Sequence, residues 1–159
     1  MLPQLARAGR YAEAGAALTA SQVPDTLVPM ADDVRALLDV HEVQRRAHLE
    51  GDGRMMGTVF GDVIHEASGG EVRVLTGTEL ERRFTERFAE VRYLEWSDVE
   101  PPLVEVAGDT AWMLVRVHAR RTDVAGAPLP DFDASWIAIY DRAAAGWKLR
   151  AIASSVVEA

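Results

Sequence analysis

Apolar and polar residues change period several times along the 159-residue chain, and the changes place helices first and strands last. Val34, Leu37, Val40, Gln44, Ala47 and His48 recur at helical spacing, with His41 at the border of the stripe. Asp32 or Asp33 can cap this helix, and Gly51 stops it after Glu50. Asp52 can cap a short helix carrying Met55, Met56, Val59 and Phe60. Asp62 to Ala67 reads as a strand turned by Gly69-Gly70 into a second, Val72 to Leu75. Thr78 and Glu81 have the spacing of a capping box, and Leu80, Phe84, Phe88 and Val91 form one stripe of the helix behind them. Strands then follow: Tyr93–Asp98, a break at Pro101-Pro102, a hairpin of Leu103–Ala107 with Ala111–Arg121 across Gly108-Asp109, then Asp133–Asp141 and Trp147–Val157. Helices first and antiparallel strands last predict an α+β domain.

The first thirty residues stand apart. Leu5, Ala12, Ala16 and Leu18 lie near one side of a predicted helix over residues 2–20, and Ser21–Met30, with Pro24 and Pro29, reads as a linker. Ala8–Ala14 is similar to one tetratricopeptide helix. No second copy follows, so an accessory helix is the simpler reading. The division predicted is 1–30 as accessory helix and linker, and 31–159 as the main domain.

Composition narrows the chemistry. The chain lacks cysteine, which removes disulfides and thiolate chemistry. A net charge of −8 argues against nucleic acid, and the arginine pairs 45-46, 82-83 and 120-121 are interspersed with acids. No apolar run approaches the roughly 18 residues of a membrane span. The N-terminus lacks a secretory pattern, so a cytoplasmic location is expected. His41-Glu42-Val43-Gln44-Arg45 begins like a zinc-binding helix but ends in arginine, and no phosphate loop or nucleophile elbow occurs, so neither metal nor cofactor is expected.

Taken in order, Gly51-Asp52, Phe60, the capped helix from Thr78, the hairpin Val106–Trp112 and Gly146-Trp147-Lys148-Leu149 resemble the nuclear transport factor 2-like superfamily, in its SnoaL-like branch. The resemblance covers about Ala31–Ala159. It implies a curved, mostly antiparallel sheet wrapped over helices, forming a cone with an internal pocket. It also implies a homodimer through the outer sheet face. Similar folds host isomerases, cyclases, dehydratases and pocket proteins without known chemistry, so the fold alone names no reaction.

Alignment to similar ketosteroid isomerases puts Trp112, Leu114, Arg116, His118 and Arg120 inward. The alternative puts Met113, Val115, Val117 and Ala119 inward; hydrophobicity does not decide, because a dimer face would also take the aliphatic set. The alignment adds Trp136, Ala138 and Tyr140, then Ala151 and Ala153, whose small side chains leave a void unless the aromatics fill it. Gln44 and His48 face the same space, and of His65 and Glu66 only one can. The isomerase tyrosine falls on Gln44, its base on Ala67 or Ser68, and its protonated acid on Trp136. That mechanism is therefore lost. What remains is a catalytic set of His48 and His118 for proton transfer with Arg116 for charge, and ligand contacts from Gln44, Trp112, Leu114, Trp136 and Tyr140. The expected activity is cofactor-independent proton transfer on a small hydrophobic oxygenated compound, as in an isomerase, cyclase or dehydratase. The alternative is a non-catalytic binding or dimeric interaction module.

Overall fold

A computed structural model describes the backbone of residues 27–158 and the side chains of residues 31–158. The predicted helix over residues 2–20 lies outside them. Helix α1 (Leu27–Glu50) starts five residues before Asp32, taking in Pro29. Proline is tolerated in a first turn, where its missing N–H would have no partner anyway. Leu37, His41, Gln44, Ala47 and His48 form the buried face of α1. Its end is a Schellman motif: Gly51 takes φ 67°, its N–H donates to His48 O, and the Asp52 N–H donates to Ala47 O at 2.9 Å. Asp52 then caps α2 (Gly53–Gly57) by accepting from Met55 N–H at 2.9 Å.

Strands β1 (Phe60–Ser68) and β2 (Glu71–Thr76) form a hairpin that leads into α3 (Gly77–Glu90). The capping box of α3 is Thr76 with Glu79, two residues before the predicted pair. Thr76 Oγ1 accepts from Glu79 N–H at 3.1 Å, and Glu79 Oε2 accepts from Thr76 N–H at 2.7 Å. The predicted stripe is unaffected, since Leu80 and Phe88 are buried and Phe84 and Val91 pack against the core. Helices α2 and α3 meet at Gly53, where an added Cβ would lie 2.8 Å from the Thr85 backbone.

The remaining strands are β3 (Val91–Asp98), β4 (Leu103–Ala107), β5 (Thr110–Asp123), β6 (Pro128–Ala143) and β7 (Gly146–Glu158). They join the first hairpin in one seven-stranded sheet of order β2-β1-β7-β6-β5-β3. Among the described strands only β1 and β7 pair in parallel. Strands β3 and β4 share the outer edge of β5, one along each half, with Pro101-Pro102 between them. Four of the strand pairs carry register shifts. Such bulges bend strands and increase twist, and the helices sit against one face of the resulting sheet.

That inner face settles the orientation of β5. Ala111, Met113, Val115, Val117 and Ala119 are all buried, at 4% exposure or less, opposite Tyr140, Ala138, Trp136, Ala134 and Phe132 on β6. Residues directly opposite on antiparallel strands share a face. Trp136, Ala138 and Tyr140 inward therefore require the aliphatic set of β5 inward. Trp112, Leu114, Arg116, His118 and Arg120 lie on the outer face, contrary to the register favoured from alignment. The driving force is ordinary: burying Met113, Val115 and Val117 contributes about 1.5–3 kcal/mol each, whereas two arginines and a histidine inside would need partners the interior does not supply.

Strand β7 corrects a second expectation. Tyr140 pairs with Leu149, but Ile139 pairs with Ala151, so Arg150 is an extra residue. Beyond this bulge Ile152, Ser154 and Val156 share the inner face with Ala138, Trp136 and Ala134. Ala151 and Ala153 point outward beside Ile139 and Ile137.

Candidate functional site

Between the helices and the inner sheet face lies a cavity of about 250 Å³. Helix α1 contributes Gln44 and His48, α2 Met56, and α3 Leu80, Phe84 and Arg87. The sheet contributes Phe60, Glu66, Trp96, Phe132, Ala134, Trp136, Leu149, Ile152, Ser154 and Val156. Arg87 and Val156 are exposed and mark the mouth. The small side chain of Ala134 leaves room between Phe132 and Trp136.

His48 is the titratable group set deepest in this wall. It is 7% exposed, and its ring stacks on Trp96 with centroids 3.7 Å apart and planes 16° from parallel. Phe84, Phe88 and Tyr93 meet it edge-on at 5.2–5.7 Å. Its Nδ1 lies 2.8 Å from Gln44 O. A carbonyl only accepts, so Nδ1 carries the hydrogen and Nε2 carries the lone pair in the neutral ring. Nε2 has no hydrogen-bond partner among the described residues. Burial in this aromatic nest pushes the pKa of His48 down to about 4, and the positive charge of Arg87 adds to the effect. The imidazole is therefore neutral near pH 7.

Two further polar groups lie beside the cavity. Gln44 Oε1 and the Tyr140 hydroxyl are both buried without a hydrogen-bond partner among the described residues. The Gln44 amide is near enough to favour the Tyr140 phenolate, yet the pair misses hydrogen-bond geometry. Burial dominates and pushes the Tyr140 hydroxyl up, so it stays protonated. One turn before Gln44, His41 Nε2 is 2.8 Å from Asp98 Oδ1, and its Nδ1 is buried without a partner among the described residues. The His41 ring lies 6.2 Å from Trp136.

The predicted site residues thus divide. His48, Gln44 and Trp136 line the cavity, and Tyr140 is fully buried beside Gln44. Arg116, His118, Trp112 and Leu114 lie across the sheet and cannot reach His48. There His118 Nδ1 is 2.9 Å from Asp133 Oδ1, and Arg116 Nη2 donates to Asp133 Oδ2 at 2.9 Å. The Asp133 carboxylate holds His118 above the usual imidazole range. Of the neighbours on β1, Glu66 lines the cavity and His65 is on the outer face.

Trp96 is one of several lining residues, with Arg87, Phe132 and Ile152 among the others, that sequence reasoning missed. A bulge between Tyr93 and Glu95 puts Tyr93 and Trp96 on one face despite their spacing of three. Two aromatics three apart, separated by Leu94-Glu95, carry that signal in the sequence. Among the described residues no group of three or more His, Asp or Glu side chains converges as metal ligands, and no helix is long and apolar enough to cross a membrane.

Comparison with solved structures places this geometry in a known class: the chain has the nuclear transport factor 2-like fold. It is similar to a nuclear transport factor 2-like superfamily protein from Salmonella enterica serovar Typhimurium, with TM-score 0.70, 8% identity, and coverage of 79% of this chain and 92% of that one. A proposed dehydratase of the same family from Streptomyces avermitilis gives TM-score 0.68, 20% identity, and coverage of 81% and 99%. A nuclear transport factor 2-like protein with a cystatin-like fold from Novosphingobium aromaticivorans gives 0.66, 16%, and coverage of 83% and 86%. No protein-family model matches the sequence, and a search of curated proteins finds no significant match.

Proposed function

We propose that this protein binds a compact, largely apolar small molecule in the cavity behind His48. The observation that carries the reading is the cavity itself: about 250 Å³ walled by Trp96, Trp136, Phe84 and Phe132, with His48 as a neutral polar group in the wall. Pockets for drug-sized ligands run to roughly 300–1,000 Å³, so the ligand here is smaller, on the scale of one or two rings. Nε2 of His48 offers an acceptor to a ligand hydroxyl. Filling the space tests this. Ala134→Leu projects a branched side chain into the cavity, so a small aromatic probe that shifts the amide NMR signals of the native protein should leave those of the variant unmoved. A probe response unchanged by the larger side chain would place binding elsewhere.

A second reading, proton transfer by His48, has one observation in its favour. Its tautomer is fixed by the helix carbonyl, so the lone pair on Nε2 is always available to a bound molecule. A pKa of about 4 makes it a weak base at neutral pH, which sets binding ahead of catalysis. The dehydratase proposed for the Streptomyces relative belongs with this second reading. Exchange of deuterium from solvent into a bound carbonyl compound, abolished by His48→Gln, would support it; no exchange in the native protein removes it.

The outer sheet face completes the proposal as a homodimer surface. Leu103, Leu114 and Ile137 are exposed there, next to Ile139, Ala151 and Ala153. A contiguous apolar patch of this kind marks an interaction surface.

A further inference from the structure

Among the described residues two charged side chains line the cavity, Glu66 and Arg87. Their situations differ. Glu66 Oε2 accepts from Arg73 Nη1 at 2.9 Å and from Arg83 Nη1 at 3.4 Å, so its charge is answered by two guanidinium groups. Arg87 has no hydrogen bond or ion pair with a side chain among the described residues. Its neighbours on α3 do not supply one: Glu86 accepts from Arg82 at 3.0 Å, and Glu90 is not within ion-pair distance. Arg73, Arg83 and Arg87 also line the surface groove that continues outward from the mouth, together with Glu66, Glu86 and Glu90.

From this arrangement we infer that the ligand is a small aromatic or otherwise apolar carboxylate, its ring seated between Trp96, Trp136 and Phe84 and its carboxylate held by Arg87 at the mouth. The inference rests on the binding function proposed above and names its ligand class. The chemistry is direct. A guanidinium matches a carboxylate in shape and charge, and one at the rim of an apolar cleft draws the anion in against the acidic character of the whole chain. A neutral ligand gains at most a hydrogen bond from Arg87, without the charge attraction, and a cationic one is repelled. Arg87 has a competing local role, since a cation in the last turn of α3 suits the helix dipole. That role predicts an effect on stability but none on ligand choice.

The test uses the matched pair cinnamate and cinnamamide, which share ring and length and differ in charge, titrated into the native chain and into Arg87→Gln by calorimetry at pH 7. The expected result is that the native protein prefers the carboxylate by about tenfold, the factor that 1.4 kcal/mol represents. Arg87→Gln loses that preference but still binds the amide, which also shows that the variant is folded. Equal affinity of the native protein for both probes, or a carboxylate preference that survives in Arg87→Gln, overturns the inference and leaves the pocket standing. Failure of both probes to bind the native protein removes the pocket reading, and this inference with it.

Discussion

His48 ties stability to pH in a definite direction. Its pKa falls from about 6.5 in an unfolded chain to about 4 in the fold. Between those values the unfolded chain holds a proton that the folded chain lacks, so stability falls as pH drops through that window. The full difference is roughly 3 kcal/mol, at 1.36 kcal/mol per pKa unit. Denaturant unfolding at pH 7 and pH 4.5 should show this loss in the native protein, and His48→Phe, which cannot titrate, should shrink it. A pH profile indifferent to the substitution would mean that the ring is hydrated. His118 behaves in the opposite sense: its charged pair with Asp133 is complete below the ordinary imidazole range and fades as pH rises through the raised folded value. At this scale His48 and Gln44 were legible from helical spacing, and Trp136 from alignment to similar isomerases. His118 and Arg116 were not, because a face is assigned by partners across the strand as well as by the strand's own pattern. Had Val115 been known to face Trp136, the register of β5 would have followed at once.

Helix α3 shows how a local rule can identify an element and still misplace its start. Thr76-x-x-Glu79 and Thr78-x-x-Glu81 both have capping-box spacing, and only the first makes the reciprocal bonds. Thr76→Ala should therefore destabilise the fold by about 1 kcal/mol, while Thr78→Ala, exposed and outside the cap, should stay within about 0.5 kcal/mol. Chemical denaturation midpoints of the two variants decide between the boxes, and equal losses would mean that the cap is shared. The same distinction holds for the strands. Their number and order follow from alternation and from turn residues such as Gly69-Gly70 and Gly108-Asp109. The bulges at Leu94 and Arg150 do not, since an extra residue is defined only by the strand opposite. Trp96, Ile152 and Ser154 entered the site through those two irregularities.

At the level of the whole molecule, one sheet presents two apolar surfaces. The inner one is consumed by α1, α3 and the cavity; the outer one is uncovered among the described residues around Leu114 and Ile137. Ile137→Glu should convert a dimer in solution into a folded monomer, with mass read by light scattering and folding by circular dichroism. A native chain that sediments as a monomer would withdraw the dimer. The cone was legible because the order of elements constrains it; the identity of its inner wall was not, because both faces of β5 and β7 offer side chains that could pack. The extra residue in β7 carries a consequence for engineering. Excising Arg150 would leave Leu149 facing Tyr140 and Ala151 facing Ile139, so the pairing of β7 with β6 survives, the ion pair of Arg150 with Asp141 is lost, and the kink that the surplus residue enforces is relaxed. The depth of the hollow can thus be retuned by shortening the backbone at a place its occupant never touches.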